Sequence, residues 1–253
     1  MAYDRQKVIS IALTEVGYLE KASNDQLDDK TANAGNKNYT KYARDMQAIT
    51  GFYNGSKQGV AWCDVFVDWC FTQAYGADAG RMLLCQPLRS AGAGVKWSAS
   101  YYKSKGQYFT DVPHVGDQIF FGKEGSYTHT GLVYEVAKGK VYTVVGNTSA
   151  GKEIIPNGGS VCKKSYSVTN ARIMGYGRPA YGDTQSSATP PTASTDTGAA
   201  SNVYVVQSGD TLWGIAQKLL GKGIRYKEIM QANGMKTTTI KKGRKLIIPS
   251  GNG

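Results

Sequence analysis

The chain has 253 residues, 41% of them hydrophobic and 19% charged, and a formal net charge of +11. That apolar content suffices for a packed core and excludes a chain disordered throughout. No apolar run reaches the ~18–20 residues needed to span a bilayer, so no membrane span is expected. The basic excess says little about fold; it nominates nucleic acid, anionic membrane surfaces or anionic cell-wall polymers as partners.

At roughly 150 residues per domain, the length predicts one large domain with a small one, or two modest ones. The start, MAYDRQKVISIALTEVGYLEK, has no continuous apolar stretch followed by a small-residue cleavage site. It is therefore not expected to be a secretory signal. Gln6–Gly17 then carries Val8, Ile11, Ala12 and Val16 near a 3.6-residue period, which predicts a helix. Further helices are predicted over Tyr39–Thr50, Trp62–Ala74 and Ala91–Lys103. The pattern then changes. Gln118–Phe121, Gly131–Val136, Val141–Val145 and Ile173–Gly177 are short, β-branched or aromatic, and separated by turns containing glycine. Helices followed by a meander of strands argue for an α+β domain with an antiparallel sheet.

Residues 183–200, DTQSSATPPTASTDTGAA, hold no aromatic and no basic residue. Such a segment cannot bury apolar surface and reads as a linker. The expected division is 1–182, a linker over 183–202, and a small domain over 203–250. Residues 201–253 hold nine basic and two acidic residues, more than half of the net charge. In that tail, a strand over Tyr204–Gln207, a helix capped by Ser208 or Asp210 and running to Leu220, a helix over Arg225–Ala232 and a strand over Lys245–Ile248 predict a β-α-α-β module.

The four cysteines are too few and too scattered for a disulfide scaffold. Cys63 and Cys70 would lie about 10 Å apart along one helix, beyond the reach of a disulfide. Without a C-x-x-C pair and with only two histidines, no structural zinc site is expected. Cys63 falls at the start of a predicted helix, where free N–H groups favour a thiolate and could hold an oxyanion. A small buried hydrophobe is the other reading of that cysteine. His129, in SYTHTGLVYEV, enters one predicted strand, and Asn147, in VYTVVGNTS, leaves the next. A turn at Lys138–Lys140 would bring the two to one edge of the sheet. Nucleophile, base and orienting group would then be assembled as in cysteine hydrolases. Taken singly, His129 could be a surface turn residue and Asn147 a left-handed turn residue. His114, in DVPHVGDQIFF, reads as a solvent-facing loop residue. Trp69, Cys70, Phe66 and Val67 read as core.

The segments W-C-D-V-F-V-D-W-C, G-D-Q-I-F-F, H-T-G-L-V-Y-E-V and V-V-G-N-T-S, in that order, resemble a CHAP domain. These are cysteine, histidine-dependent amidohydrolases/peptidases with a papain-like core that act on peptidoglycan. The resemblance implies Cys63 as nucleophile, His129 as general base and acid, and Asn147 as orienting residue, with no cofactor. Many such domains carry Gln immediately before the cysteine; here the residue is Trp62, which leaves the oxyanion partners open beyond the Cys63 backbone. Some bind calcium through an acidic loop. Asp25, Asp28 and Asp29 lack the spacing of a calcium loop, so no metal is expected.

Y-V-V-Q-S-G-D-T-L-W-G-I-A, I-M-Q-A-N-G and G-R-K-L-I-I-P resemble a LysM domain, a module that binds N-acetylglucosamine-containing glycans. The resemblance implies that Gly209, Asp210, Thr211 and Leu212 form one wall of a groove. Asn233, Gly234 and Met235 would begin the other wall. Asp210 and Thr211 could instead cap the helix, with Leu212, Trp213 and Ile215 in the core. No nucleic-acid motif accompanies the basic excess, so anionic wall polymers such as teichoic acids are the expected partner rather than nucleic acid.

Together the resemblances imply an endolysin-like peptidoglycan hydrolase that cleaves an amide, with N-acetylmuramoyl-L-alanine amidase as the leading expectation. An endopeptidase cutting stem or cross-bridge peptide, and a wall-binding protein without catalysis, are the alternatives. Without a signal, the chain is expected to be made in a phage host's cytoplasm. It would reach the wall by a holin-type route or after lysis.

Overall fold

A computed structural model describes residues 3–89, 94–150, 154, 157–182, 202–206, 210, 212–220, 225–235, 238 and 240–249. The chain divides into two compact units, Met1–Ser186 and Ser187–Gly253. Among the described residues no helix is long and apolar enough to cross a membrane.

The first unit opens with α1 (Arg5–Thr14), whose N-cap Asp4 accepts the Gln6 N–H, and α2 (Lys41–Gln47), whose N-cap Thr40 accepts the Ala43 N–H. Both caps satisfy an otherwise orphaned backbone donor. α3 (Cys63–Tyr75) is buried on nearly every side, from Cys63 through Phe71 and at Ala74. A helix buried on so many sides belongs at the centre of a domain, and here it takes Asp64 and Asp68 in with it. Phe66, Val67, Trp69 and Cys70 are core, as their residue types predict. α4 (Ala77–Leu83) and α5 (Val95–Ser104) follow.

Six strands then form one antiparallel sheet: β1 (Tyr108–Phe109), β2 (Gln118–Lys123), β3 (Ser126–Ala137), β4 (Lys140–Thr148), β5 (Ser160–Ser167) and β6 (Ile173–Gly177). Their spatial order is β1-β6-β2-β3-β4-β5. Two-residue turns set the pairs beside them, and bulges between Phe121 and Gly122 and between Val133 and Glu135 shift the register further along. Glu124 and Gly125 join β2 to β3, and Lys138 and Gly139 join β3 to β4, all four with positive φ. That is the signature of the hairpin turn whose twist matches the strands. One face packs Phe120, Leu132 and Val144 with α3 in the main core. A second cluster gathers Ile119, Phe121, Val133, Val141, Tyr166 and Tyr176. Each large apolar side chain buried in this way contributes about 1.5–3 kcal/mol.

The α+β architecture is the predicted one. The additions are α4, β1 and β5. A break at Gly76, with φ +83°, separates α4 from α3. β5 escapes pattern reading because Lys164 occupies one of its buried positions.

The second unit comprises β7 (Asn202–Val205), α6 (Leu212–Leu220), α7 (Tyr226–Ala232) and β8 (Lys245–Ile248), with β7 and β8 antiparallel. Val206, Leu212, Ile215, Ala216, Ile229, Leu246 and Ile248 form its core. α7 ends on Asn233 and Gly234, the latter with φ +59°, and the Met235 N–H returns to Met230 O at 2.9 Å. Glycine fits this left-handed position without a side-chain penalty. The first strand lies earlier than the predicted Tyr204–Gln207; Gln207 and Ser208 lie outside the described residues.

Candidate active site

Cys63 is the first residue of α3 and is 3% exposed. Backbone N–H groups of Thr130, Asp64 and Cys63 itself are directed at its sulfur and favour the thiolate. Burial outweighs them. With added repulsion from Asp64, it pushes the thiol up to about 12. The helix-start argument for a ready thiolate is thus corrected. The resting group is a neutral thiol, because desolvation of a fully buried sulfur exceeds the pull of the helix end.

His129 lies inside β3, paired with Phe121, and is fully buried rather than placed in a surface turn. Burial, reinforced by the Lys164 charge, lowers its pKa to about 4, so the imidazole is neutral at pH 7. Neither ring nitrogen has a hydrogen-bond partner among the described residues. The nearest recorded ring is Phe121, with centroids 6.4 Å apart.

Asn147 lies near the end of β4 and is fully buried, with φ +54°. The β4–β5 register slips between Val145 and Thr148. Asn147 therefore sits in a bulge, a device that re-aims a side chain. Its Oδ1 accepts the Gly159 N–H at 3.3 Å, whereas Nδ2 has no partner among the described residues.

The β3–β4 pairing ends with Val133 opposite Thr143 and Leu132 opposite Val144, so His129 and Asn147 each lie three residues beyond its last pair. The strands stay close beyond that point, since a Cβ on Gly131 would lie 2.7 Å from Val145 Cγ2. The Thr130 N–H that reaches Cys63 belongs to the residue after His129. Thr130 faces α3 through Gln118 and Asp64, whereas His129 pairs with Phe121 of the second cluster, so it is the β3 backbone rather than the imidazole that meets Cys63. The proton-transfer hydrogen bonds of a working triad are not formed. Buried polar atoms without partners, here on His129 and Asn147, are a recurrent mark of functional sites. Catalytic hydrogen bonds often tighten only once substrate is bound.

A polar network behind Cys63 carries no signal of its own in the sequence. Asp64 accepts Ser98 Oγ at 2.6 Å and Gln118 Nε2 at 2.9 Å. The same Nε2 donates to Thr130 Oγ1 at 3.1 Å, and that hydroxyl donates to Ile119 O at 2.8 Å. Gln118 opens a buried apolar strand, which was the one available hint.

His114 is half-buried rather than solvent-facing; its N–H bonds Asp117 Oδ2, which also pairs with Arg178. Asp28 is tied to Arg44, and Asp29 accepts the Thr31 and Ala32 N–H groups. No cluster of three or more metal-ligating side chains occurs among the described residues. All four cysteines are free thiols.

A CHAP domain family model matches residues 55–147, and a LysM domain family model matches residues 204–249. The chain carries a CHAP domain and a LysM domain. The chain is 51% identical over 45 residues to a probable N-acetylmuramidase of Lactococcus lactis subsp. lactis (strain IL1403), covering 18% of this chain and 10% of that protein. A probable N-acetylmuramidase of L. lactis subsp. cremoris (strain MG1363) is 49% identical over the same length and shares. The chain thus spans about a tenth of the length of these curated relatives. No solved structure matches it.

In the LysM domain, Gly209 and Thr211 lie outside the described residues. Asp210 Oδ2 accepts the Tyr204 hydroxyl at 2.8 Å. Leu212 is in the core. Asn233 bonds Ile229 O, Ile247 O and the Ile247 N–H, so its side chain ties α7 to β8. Gly234 is exposed and Met235 half-buried.

Proposed function

We propose that the chain hydrolyses an amide of peptidoglycan with Cys63 as nucleophile, His129 as acid and base, and Asn147 as orienting group. The bond favoured is the N-acetylmuramoyl-L-alanine amide. What supports the reading is the CHAP match over residues 55–147, with Cys63 at the start of α3, the Thr130 N–H at its sulfur, and buried, unpartnered polar atoms on the neighbouring His129 and on Asn147.

Thiol and imidazole are both neutral at rest. A resting ion pair in so dry a site is disfavoured, so proton transfer accompanies attack. His129 takes the Cys63 proton as sulfur bonds to the carbonyl carbon. The N–H groups at the start of α3 face the developing oxyanion. His129 then gives its proton to the leaving amine, and the intermediate collapses to a thioester. Water, deprotonated by His129, attacks the thioester; the acid leaves and the thiol is restored. Asn147 restricts the imidazole ring from the neighbouring strand.

The LysM domain holds the enzyme on N-acetylglucosamine-containing glycan, and its basic excess draws it to anionic wall polymers. Tethering raises the local concentration of the catalytic unit without adding a catalytic contact.

Mass spectrometry of fragments released from purified Gram-positive peptidoglycan, with Cys63→Ala as control, tests the reading. Free stem peptides beginning at L-alanine, with peptide-free glycan, are expected. Muropeptides still joined to muramic acid but shortened would replace the amidase with an endopeptidase. No fragment from wild type would leave a wall-binding protein without catalysis.

A further inference from the structure

Trp62 and Glu20 take no part in the steps above, yet both are buried beside them. Trp62 precedes Cys63 and occupies the N-cap of α3 without offering a capping side-chain bond. Its indole N–H donates to Glu20 Oε2 at 2.9 Å, across 42 residues of chain. Glu20 is 3% exposed. A buried carboxyl group is costly, and an apolar side chain would fill the space as well. What the carboxyl group adds is direction, because an N–H···O bond fixes the rotation of the indole ring where packing alone does not.

The Trp62 ring presses on the strand that carries Asn147. A Cβ on Gly146 would lie 2.9 Å from Trp62 Cζ3 and 2.7 Å from Phe66 Cβ. Only glycine lets ring and backbone approach this closely. Glu20 returns to the same place from the other side. Its N–H donates to Gly159 O at 2.8 Å, and a Cβ on Gly159 would lie 3.3 Å from Glu20 Cδ. The Gly159 N–H holds Asn147 Oδ1, and the Gly158 N–H bonds Asn147 O at 3.1 Å. Glu20, Trp62, the Gly146–Asn147 backbone and Gly159 form a closed ring of contacts. It joins the start of α3 to the bulge that aims Asn147.

We propose that Glu20 is a positioning residue. It locks the Trp62 ring and thereby sets Cys63 against Asn147. The inference rests on the hydrolase reading of that site.

The test compares Glu20→Ala, Glu20→Gln and Trp62→Phe in the full chain, scored per folded molecule on purified peptidoglycan. Glu20→Ala and Trp62→Phe are expected to lower kcat about 10- to 100-fold with little change in KM, the scale of a small misplacement of reacting groups. Glu20→Gln keeps an oxygen acceptor at the same reach and is expected to recover most of that loss. The double variant should lose no more than either single one, because both remove the same bond. The pH profile of Cys63 alkylation by iodoacetamide, followed by peptide mass, reads the site without wall substrate. It should shift in Glu20→Ala and hold in Glu20→Gln. Should Glu20→Ala not fold, Trp62→Phe decides together with Glu20→Gln, since an aromatic ring remains while the N–H donor and the pyrrole half of the indole go. Full kcat in folded Trp62→Phe, or no recovery in Glu20→Gln, would overturn the proposal while leaving the hydrolase reading intact. Absence of fragments from wild type would remove the hydrolase reading and this proposal together.

Discussion

Gln118 reaches Asp64 across 54 residues of chain, its Nε2 2.9 Å from Asp64 Oδ1. Because the same nitrogen also donates to Thr130 Oγ1, one buried amide joins the first turn of α3 to the strand that carries His129. Gln118→Leu would leave Asp64 buried with one donor fewer. Such a loss is expected to cost about 1–3 kcal/mol of stability. Gln118→Glu places a second carboxyl group beside Asp64 and should destabilise more at pH 7 than at pH 5. Urea unfolding of the two variants at both pH values checks this. A Gln118→Glu variant equally stable at both would show that the amide does not support Asp64.

Cys63→Ala removes the thiol and little else. Because the sulfur is a small buried group whose recorded hydrogen bonds come from backbone N–H, the fold should survive with a loss of about 1–2 kcal/mol. Turbidity of susceptible cells should fall with wild type and stay level with the variant. Binding of the variant to purified wall should match wild type, since the LysM domain is untouched. Lysis by folded Cys63→Ala would exclude Cys63 as nucleophile.

Two groups at this site respond to acid in opposite senses. His129 is lowered from 6.5 to about 4. Between those values the unfolded chain takes up a proton that the native protein refuses. Stability from this group is present above pH 6.5 and lost as pH falls towards 4. Asp64 is raised from 3.8 to about 6, chiefly by burial. The native protein takes up that proton first, so its contribution is full below pH 3.8 and is lost as pH rises through 6. At about 1.4 kcal/mol per pH unit, each is worth on the order of 3 kcal/mol, and they largely offset between pH 4 and 6. Relative to wild type, His129→Gln should gain stability on acidification through that window, and Asp64→Asn should lose it. Urea midpoints at pH 7, 5 and 4 read the differences; parallel curves for the three proteins would refute the opposing shifts.

Much of this arrangement was legible because it is local. Turn residues at Glu124–Gly125 and Lys138–Gly139 announce the hairpins and fix the pairs beside them, but bulges between Phe121 and Gly122 and between Val133 and Glu135 shift the register before it reaches the site. The order of motifs gave the domain types. What could not be read depends on burial. No pattern shows that Cys63 lies deep enough for desolvation to defeat the helix end, or that Lys164 turns inward and hides β5. The Asp64–Gln118–Thr130 network and the Glu20–Trp62 bond span 54, 12 and 42 residues, and periodicity carries no information at that range.

Gly146→Ala is the smallest change that tests the packing behind Asn147. The new Cβ would meet Phe66 Cβ at 2.7 Å, and neither α3 nor β4 has free space into which to yield. Overpacking of this kind costs about 1–3 kcal/mol. The strain falls on the residue next to Asn147, so activity per folded molecule should drop too. A variant with wild-type stability would mean that the Phe66–Gly146 contact is looser than its geometry indicates.

In the LysM domain, Asn233 is the side chain on which most depends. It accepts the Ile247 N–H at 2.8 Å and donates to Ile247 O at 2.7 Å and Ile229 O at 2.8 Å. Asn233→Ala removes three bonds to backbone groups at once. At about 0.5–1.5 kcal/mol each, the loss is on the order of 2–4 kcal/mol, a large share of what so small a core supplies. Loss of wall binding by this variant therefore has two meanings. Thermal unfolding followed through the LysM domain separates them. If the domain melts and binding fails together, Asn233 acts by tying α7 to β8. If it remains folded and glycan binding alone is lost, Asn233 contacts the sugar, as the groove assignment expects.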